Sequence, residues 1–434
     1  MGNKYLLYLA KAHLDFRRAE LESLADLYNL KVDLSNLSED SPFVIVEIEN
    51  DDLAAKWISR SILCRGVYEY WGETTEDWGQ LHESVKQNSR SKWEKYAKTS
   101  FKFDFIGYQG SRNQKSQVEV IEQFSYLPFT GPIRMKKPDV VFTVIEQFIE
   151  NTETSTRKFF GREVGLSERE KGVLDKFDLR KRRYVGTTSF EAELSLVTVN
   201  VAQTNVGKIM YDPFVGTGSF LVTGAHFGAL TIGSDIDMKP LMGKKKNTIQ
   251  ANFKQYGTSL NFLDTCTMDF THNAFRKDFI IDTICCDPPY GVREGLKVLG
   301  TSRPEHFVGK ENIEIDGIKA FLRKDYVPTK KAYSLGNMLD DLLDFAAKRL
   351  PIDGRLVFWM PVANDEDYTT SIPHHEKLEL KYNCVQKFNK WSRRMLCYVK
   401  RDDGYEGQTI RAGEVIKNEF RNRYFSGFNE ASLD

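Results

Sequence analysis

The chain reads as an α/β protein in which a mostly parallel sheet, with helices on both faces, follows smaller α+β modules. Two observations predict this. From about residue 208 onward, short apolar runs alternate with amphipathic stretches, the order that builds a parallel sheet because each crossover carries a helix. Before about residue 166 strand-like runs dominate, and a charged, poorly periodic stretch divides the two regimes. At 434 residues the chain is also longer than one hydrophobic core usually organises.

In chain order, Tyr5 to Ala10 predicts a strand, and Phe16 to Asn29 a helix with Leu21, Leu24, Ala25 and Tyr28 on one face. Leu30 to Leu34 and the alternating Pro42 to Ile48 predict two more strands. Asp51 and Asp52 stand where helix starts favour acids, and Val67 to Trp71 closes the set. This βαββαβ order predicts a ferredoxin-like domain over residues 1–75. A second α+β module, 76–165, has a polar helix from Trp78 to Lys98 and strands at Ser100 to Gly107, Val118 to Tyr126, Val140 to Gln147 and Lys158 to Val164. Residues 166–183 are the linker, ending in Arg180-Lys181-Arg182-Arg183.

The remaining domain, 184–434, predicts strands at Lys208 to Asp212, Leu230 to Asp235, Asn261 to Cys266 and Phe279 to Asp287, with helices from Ser219 and around Asn247 to Gln255. A polar insertion, Gly291 to about Ala332, interrupts the pattern. After it come a helix, Leu335 to Arg349, and strands at Gly354 to Met360, Leu378 to Gln386 and Met395 to Lys400.

Lys plus Arg and Asp plus Glu are both 61, so any nucleic-acid surface must be local. Cys64, Cys266, Cys285, Cys286, Cys384 and Cys397 show no CxxC pair or zinc spacing and read as reduced core thiols. His374-His375 has no third ligand nearby and reads as surface, so no metal is expected. The opening residues carry only a short apolar run, and no stretch is apolar enough to span a bilayer. A soluble, intracellular protein is expected, with the cytoplasm as its location.

Three turns carry the chemistry. The first predicted strand of the large domain runs into Asp212-Pro213-Phe214-Val215-Gly216-Thr217-Gly218-Ser219 and then a helix, so its glycines sit where a ligand can approach the backbone closely. The next strand closes on Asp235, about twenty residues later, where doubly wound folds hold a ribose hydroxyl. Asp269, after the third strand, is placed either to accept from an adenine amino group or to cap the following helix. The fourth strand delivers Asp287-Pro288-Pro289-Tyr290 to the carboxyl edge of the sheet. Two consecutive prolines fix two φ angles and remove two donors, leaving a carboxylate and an aromatic ring at set positions.

That corner suits a planar amine. Its lone pair is delocalised into the ring, so it must be held and polarised before it can attack. Asp287 and the Pro288 carbonyl can accept both N–H hydrogens while Tyr290 stacks on the base. The carboxylate also offsets charge developing on nitrogen.

The ordered motifs DPFVGTGS, GSDID, MDF and DPPYG resemble those of class I amino-methyltransferases, over about Tyr184 to Lys400. With the segment Arg183 to Leu194, the ferredoxin-like unit and a module similar to the THUMP RNA-binding domain, nearly the whole chain resembles the catalytic subunits of tRNA (guanosine-10-N2) methyltransferases. The resemblance implies a Rossmann-like, seven-stranded, mostly parallel sheet and S-adenosylmethionine as cofactor. It implies cofactor contacts from Asp212, Phe214, Gly216, Thr217, Gly218, Asp235 and Asp269, with Thr187 and Thr188 at the same pocket, and a catalytic corner of Asp287, Pro288, Pro289 and Tyr290. Its partners would be tRNA and a small zinc-binding activator subunit. Val215 departs from the alanine common in the family and adds bulk beside the glycine turn.

Basic clusters at Arg180 to Arg183, Lys244 to Lys246, Arg323-Lys324, Lys330-Lys331 and Arg393-Arg394 can serve as solvated faces or as phosphate contacts. The linker cluster and Arg393-Arg394 are the favoured RNA contacts. A flipped guanine would enter between Tyr290 and the insertion. Trp391 can stack on a nucleotide or close the core edge. The same corner would also serve adenine N6, cytosine N4 or a glutamine amide, and a non-catalytic tRNA-binding scaffold is the alternative outside catalysis.

Overall fold

Tyr5, Leu7 and Leu9 bury into one core while Leu6 and Tyr8 bury into another, because successive strand residues face opposite sides of a sheet covered on both. The computed structural model in which this is seen describes residues 2–428 apart from 151, 153, 293–294, 307, 309–312, 324–325, 365–371 and 417–419. The chain forms two units, 1–173 and 174–434.

The first unit contains β1 (Asn3–Leu9), α1 (Arg17–Leu27), β2 (Phe43–Ile48), α2 (Asp51–Ile58), β3 (Cys64–Thr74), α3 (Trp78–Ser89), β4 (Phe101–Tyr108), α4 (Gln114–Glu122), β5 (Val140–Phe148) and β6 (Ser155–Leu166). One six-stranded sheet runs β2-β1-β3-β6-β5-β4. The expected boundary at residue 75 is therefore crossed by a single sheet, since β3 pairs antiparallel with β6 along its length.

Two expected strands are absent. Leu30 to Leu34 forms no ladder: Leu34 is buried against the α1 side of the core, and its carbonyl accepts from the Arg18 guanidinium at 3.1 Å instead of from a neighbouring strand. Val118 to Tyr126 begins inside α4, whose cap Asn113 accepts from Ser116 N at 2.9 Å. Val120, Phe124 and Leu127 then face one core at helical rather than alternating spacing.

The second unit contains α5 (Ala192–Val201), β7 (Ile209–Asp212), α6 (Ser219–His226), β8 (Leu230–Asp235), α7 (Ile249–Tyr256), β9 (Phe262–Thr267), β10 (Thr283–Cys286), α8 (Leu335–Arg349), β11 (Arg355–Ala363), β12 (Leu378–Lys387) and β13 (Trp391–Lys400). Its seven-stranded sheet runs β12-β13-β11-β10-β7-β8-β9. Only β13 runs against its neighbours, pairing antiparallel with β11 and β12, so the sheet is mostly parallel as expected. Thr283 to Cys286 is buried throughout, as a central strand covered on both faces requires. Helix α8 packs Leu335, Met338, Leu339, Leu342 and Leu343 against it, and Ser334 caps its start by accepting from Asn337 N. Five cysteines lie in the interior, but Cys266 on the edge strand β9 is exposed, which corrects the reading of all six as core thiols.

Candidate active site

Strands β7 and β10 are neighbours, and β8 lies on the far side of β7, so connections leave the middle of the sheet in opposite directions. That divergence opens a crevice at the carboxyl ends of β7 and β10, the two strands that deliver the glycine turn and the Asp-Pro-Pro-Tyr corner.

The glycine turn is held by its own hydrogen bonds. Phe214 N donates to Asp212 Oδ1 at 2.9 Å, Val215 N to the Ser234 carbonyl at 2.9 Å, and Gly216 N to Asp235 Oδ2 at 3.0 Å. Gly216 has φ 48° and Gly218 φ 83°, both in the left-handed region. A Cβ on Gly218 would meet Ile249 at 3.1 Å, whereas one on Gly216 would enter open space. Gly216 thus presents bare backbone to the crevice. Val215 is buried over Gly233, where a Cβ would lie 2.6 Å from a Val215 methyl, so the bulk that departs from the family pattern rests on a glycine of β8.

The segment before α5 lies on this turn. Gly186 N donates to Ser189 Oγ at 2.9 Å, Ser189 Oγ and Thr217 Oγ1 are 2.7 Å apart, and Phe190 N donates to Ser219 Oγ at 3.1 Å. Thr187 and Thr188 are exposed in the loop so anchored. Ser189, the residue that makes the tie, was not among the expected site residues; its signal was a hydroxyl in a Gly-Thr-Thr-Ser turn.

Acidic groups converge here. Burial foremost pushes the Asp212 carboxyl well above the ordinary carboxylate range, and the neighbouring Asp235 and Asp287 carboxylates push the same way. Asp235 also accepts from Asp237 N at 2.8 Å. Asp269 turns out to be a cap: it accepts from Thr271 N at 2.9 Å, from Thr271 Oγ1 at 2.8 Å, and through its second oxygen from Leu299 N at 2.8 Å. Leu299 belongs to a ribbon of the insertion, Lys297–Leu299 against Lys330–Ala332, and Lys330 Nζ donates to the Ile236 carbonyl at 2.6 Å.

At the corner, the Tyr290 hydroxyl donates to Asp287 Oδ1. Burial pushes the Asp287 carboxyl up to about 6, while that hydrogen bond and the Arg393 guanidinium pull it back down. Trp391 and Phe420 meet the Tyr290 ring at 73° and 83° with centroids 6.5 and 6.4 Å away, so neither stacks on it. Trp391 begins β13 and joins an aromatic group with Phe388, Phe420 and Tyr424.

The expected RNA contacts divide. Arg180 and Arg183 are exposed, although Arg180 pairs with Asp178 at 2.6 Å, and Lys181 pairs with Asp175. Arg182 is 5% exposed and donates to Ser219 Oγ and Tyr256 Oη, so it fastens the segment to α6 and α7 and does not face a phosphate. Arg394 is buried and donates to Asn383 at 3.0 Å. Arg393 donates to Glu191 and Gln386 and lies over the Phe190 and Trp359 rings at 4.4 and 4.8 Å, inside the site wall. Lys324 lies outside the described residues.

Open space at Gly216, whose N–H rests on Asp235, with Asp212 close enough to Asp235 and Asp287 for their charges to act on it, fits S-adenosylmethionine, whose sulfonium and ammonium are cationic. Fold and site define a class I, S-adenosylmethionine-dependent methyltransferase. Residues 3–169 match the Tmrp11 THUMP N-terminal domain model and residues 180–300 the RMKL-like methyltransferase domain model. The chain is 56% identical to a tRNA (guanine(10)-N(2))-methyltransferase of Saccharomyces cerevisiae, over 98% of this chain and 100% of that one. It is 36% identical to one of Schizosaccharomyces pombe, over 99% and 97%, and 31% identical to one of Homo sapiens, over 98% and 96%. The chain belongs to the tRNA (guanine(10)-N(2))-methyltransferase family.

Proposed function

We propose that this chain transfers a methyl group from S-adenosylmethionine to the exocyclic N2 amine of guanosine 10 in tRNA. The observation that carries the reading is the placement of Asp287, with a Tyr290 hydroxyl on one oxygen, at the same sheet edge as the open side of Gly216. The glycine turn, Asp212 and Asp235 would hold the cofactor, with the Ser189–Thr217 tie fastening the preceding segment to the glycine turn. When bound, that group supplies a methyl on a positively charged sulfur.

The protein's part is to hold the amine. With Oδ1 engaged by Tyr290, Oδ2 of Asp287 and the Pro288 carbonyl accept the two N–H hydrogens, which points the nitrogen lone pair out of the amide-like plane and toward the crevice. A carboxylate held at about 6 is ionised near neutral pH, offsets the charge that develops on nitrogen, and is basic enough to take its proton at Oδ2. The Tyr290 ring, on which neither Trp391 nor Phe420 stacks, is left to stack on the base.

Incubating the full chain with S-adenosylmethionine and total tRNA, then digesting to nucleosides, tests the assignment. N2-methylguanosine is expected, and N6-methyladenosine in its place would overturn it. Calorimetry with the cofactor separates an enzyme from a tRNA-binding scaffold: absent binding even with a partner subunit present would favour the scaffold.

The same reading includes a small zinc-binding activator subunit. Supporting it, β9 is an edge strand among the described residues, with Leu263 on it exposed at 47% and Leu260 just before it at 94%, and proteins usually cover such edges. Co-purification with such a protein is expected; full activity and solubility of the chain alone would count against it. A cytoplasmic location is also proposed, supported by six free cysteines as a reducing compartment would leave them, and imaging of a tagged chain checks it.

A further inference from the structure

Beyond the corner itself, a cavity of about 280 Å³ opens beside Tyr290, between the insertion ribbon and the last helix, Phe420–Phe425. That helix lies far past the motif region, yet it is fitted to the corner closely. Gly291, which follows Tyr290, has φ 79°, and a Cβ there would meet the Arg421 Cβ and Cδ at 3.6 and 3.7 Å. Phe420 is 6% exposed and shares the aromatic group that contains Trp391 and Tyr290. Lys390 Nζ donates to the Gly427 carbonyl at 2.9 Å, holding the far end.

The cavity's chemistry is uneven. Its interior wall is Tyr290, Leu296 and Phe420, while Lys297, Lys331 and Arg421 stand exposed around its mouth. Among the described residues none of these three cations is within ion-pair distance of a carboxylate, whereas Arg180, Lys181 and Arg393 each are. Cations without a carboxylate partner around an aromatic cavity match a nucleotide, with a flat ring inside and phosphates outside.

We infer that the C-terminal helix completes the pocket for the target nucleotide, with Phe420 as a wall for the base and Arg421, Lys297 and Lys331 as the rim that grips its flanking phosphates. This rests on the assignment of tRNA as substrate. An anion in this rim can be an RNA phosphate or the carboxylate of the cofactor, and the test separates them.

Full-length Arg421→Ala, Arg421→Lys and Phe420→Ala proteins are compared with the unsubstituted chain for tRNA binding by fluorescence anisotropy across a salt series, and for S-adenosylmethionine binding by calorimetry. For Arg421→Ala the slope of log affinity against log salt is expected to become shallower by about one, with the slope restored by Arg421→Lys and cofactor affinity unchanged. Phe420→Ala is expected to keep the salt slope and cofactor affinity while losing about tenfold in kcat on tRNA, the cost of a base held less squarely. An unchanged slope in Arg421→Ala, or a fall in cofactor affinity with either alanine variant, overturns the inference. The slope is read from binding and the substrate assignment from the methylated nucleoside, so each can fail without the other.

Discussion

The Tyr290 hydroxyl donates its hydrogen to the carboxylate of Asp287, three positions earlier in the chain, across the two prolines that hold both residues in place. One carboxylate oxygen is thereby committed within the corner and the other left for a ligand. Arg393, its guanidinium fixed by Glu191 and Gln386, also favours the ionised acid through its charge.

Turnover should therefore have an acid limb set by Asp287. The ionised form accepts the amine hydrogens, so kcat/KM is expected to fall as pH drops through about 6. Burial raises this pKa, and the Tyr290 bond and Arg393 lower it, so Tyr290→Phe and Arg393→Ala should each move the limb upward, by about one unit or less. Asp287→Asn should abolish turnover while sparing tRNA affinity and without lowering the thermal midpoint, because it removes a charge that the fold disfavours. A limb that stays in place in both Tyr290→Phe and Arg393→Ala would mean that another group sets it.

Val215 and Gly233 should behave as a pair. An alanine at 233 would put its Cβ 2.6 Å from a Val215 methyl and 3.1 Å from Leu221, an overpacked contact costing about 1–3 kcal/mol. Val215→Ala in the same chain should recover part of that loss, since it removes the methyl at 2.6 Å but keeps the Val215 Cβ, which would lie 2.8 Å away. Urea melts of the two single variants and the double variant give the coupling, and strictly additive losses would show that the two side chains do not compete for one space.

Much of the catalytic half was legible in the sequence because its motifs are backbone devices. Two glycines with positive φ and two adjacent prolines announce a turn wherever they fall, and the strands before them alternate visibly with helices. The first unit was harder. Val118 to Tyr126 is rich in β-favouring residues, but one buried face decides its state, and Val120, Phe124 and Leu127 line up only on a helix. Charge runs misled for a similar reason: nothing in Arg180-Lys181-Arg182-Arg183 says that the third member turns inward. The C-terminal wall of the nucleotide cavity left no sequence signal, since Phe420 and Arg421 gain meaning only from lying beside Tyr290 and Gly291.

Asp269 is expected to act through the fold. Its two oxygens accept from Thr271 and Leu299, so the residue closes a short 3-10 helix and fastens the insertion ribbon. Asp269→Ala should lose about 1–2 kcal/mol of stability in urea melts, and Asp269→Asn, which still caps, less than half of that. If Asp269→Ala melts like the unsubstituted chain yet binds S-adenosylmethionine more weakly, its role is instead direct contact with the cofactor.

The linker cluster offers the sharpest contrast between a charge that holds RNA and one that holds the protein. Arg182 is buried, and it donates to Ser219 Oγ at 3.0 Å and Tyr256 Oη at 3.3 Å, joining the starts of the glycine-turn helix and the end of α7. Removing a charged donor from two buried hydroxyls should cost about 3 kcal/mol, so Arg182→Ala should melt markedly earlier. Because no phosphate reaches it, the salt slope of tRNA binding, measured at a temperature where the variant is folded, should match that of the unsubstituted chain. Arg183→Ala, one position on and exposed, should do the reverse: an unchanged melt and a slope shallower by about one. An Arg182→Ala protein that melts normally but binds tRNA with a shallower slope would put the inward-facing guanidinium on the RNA after all.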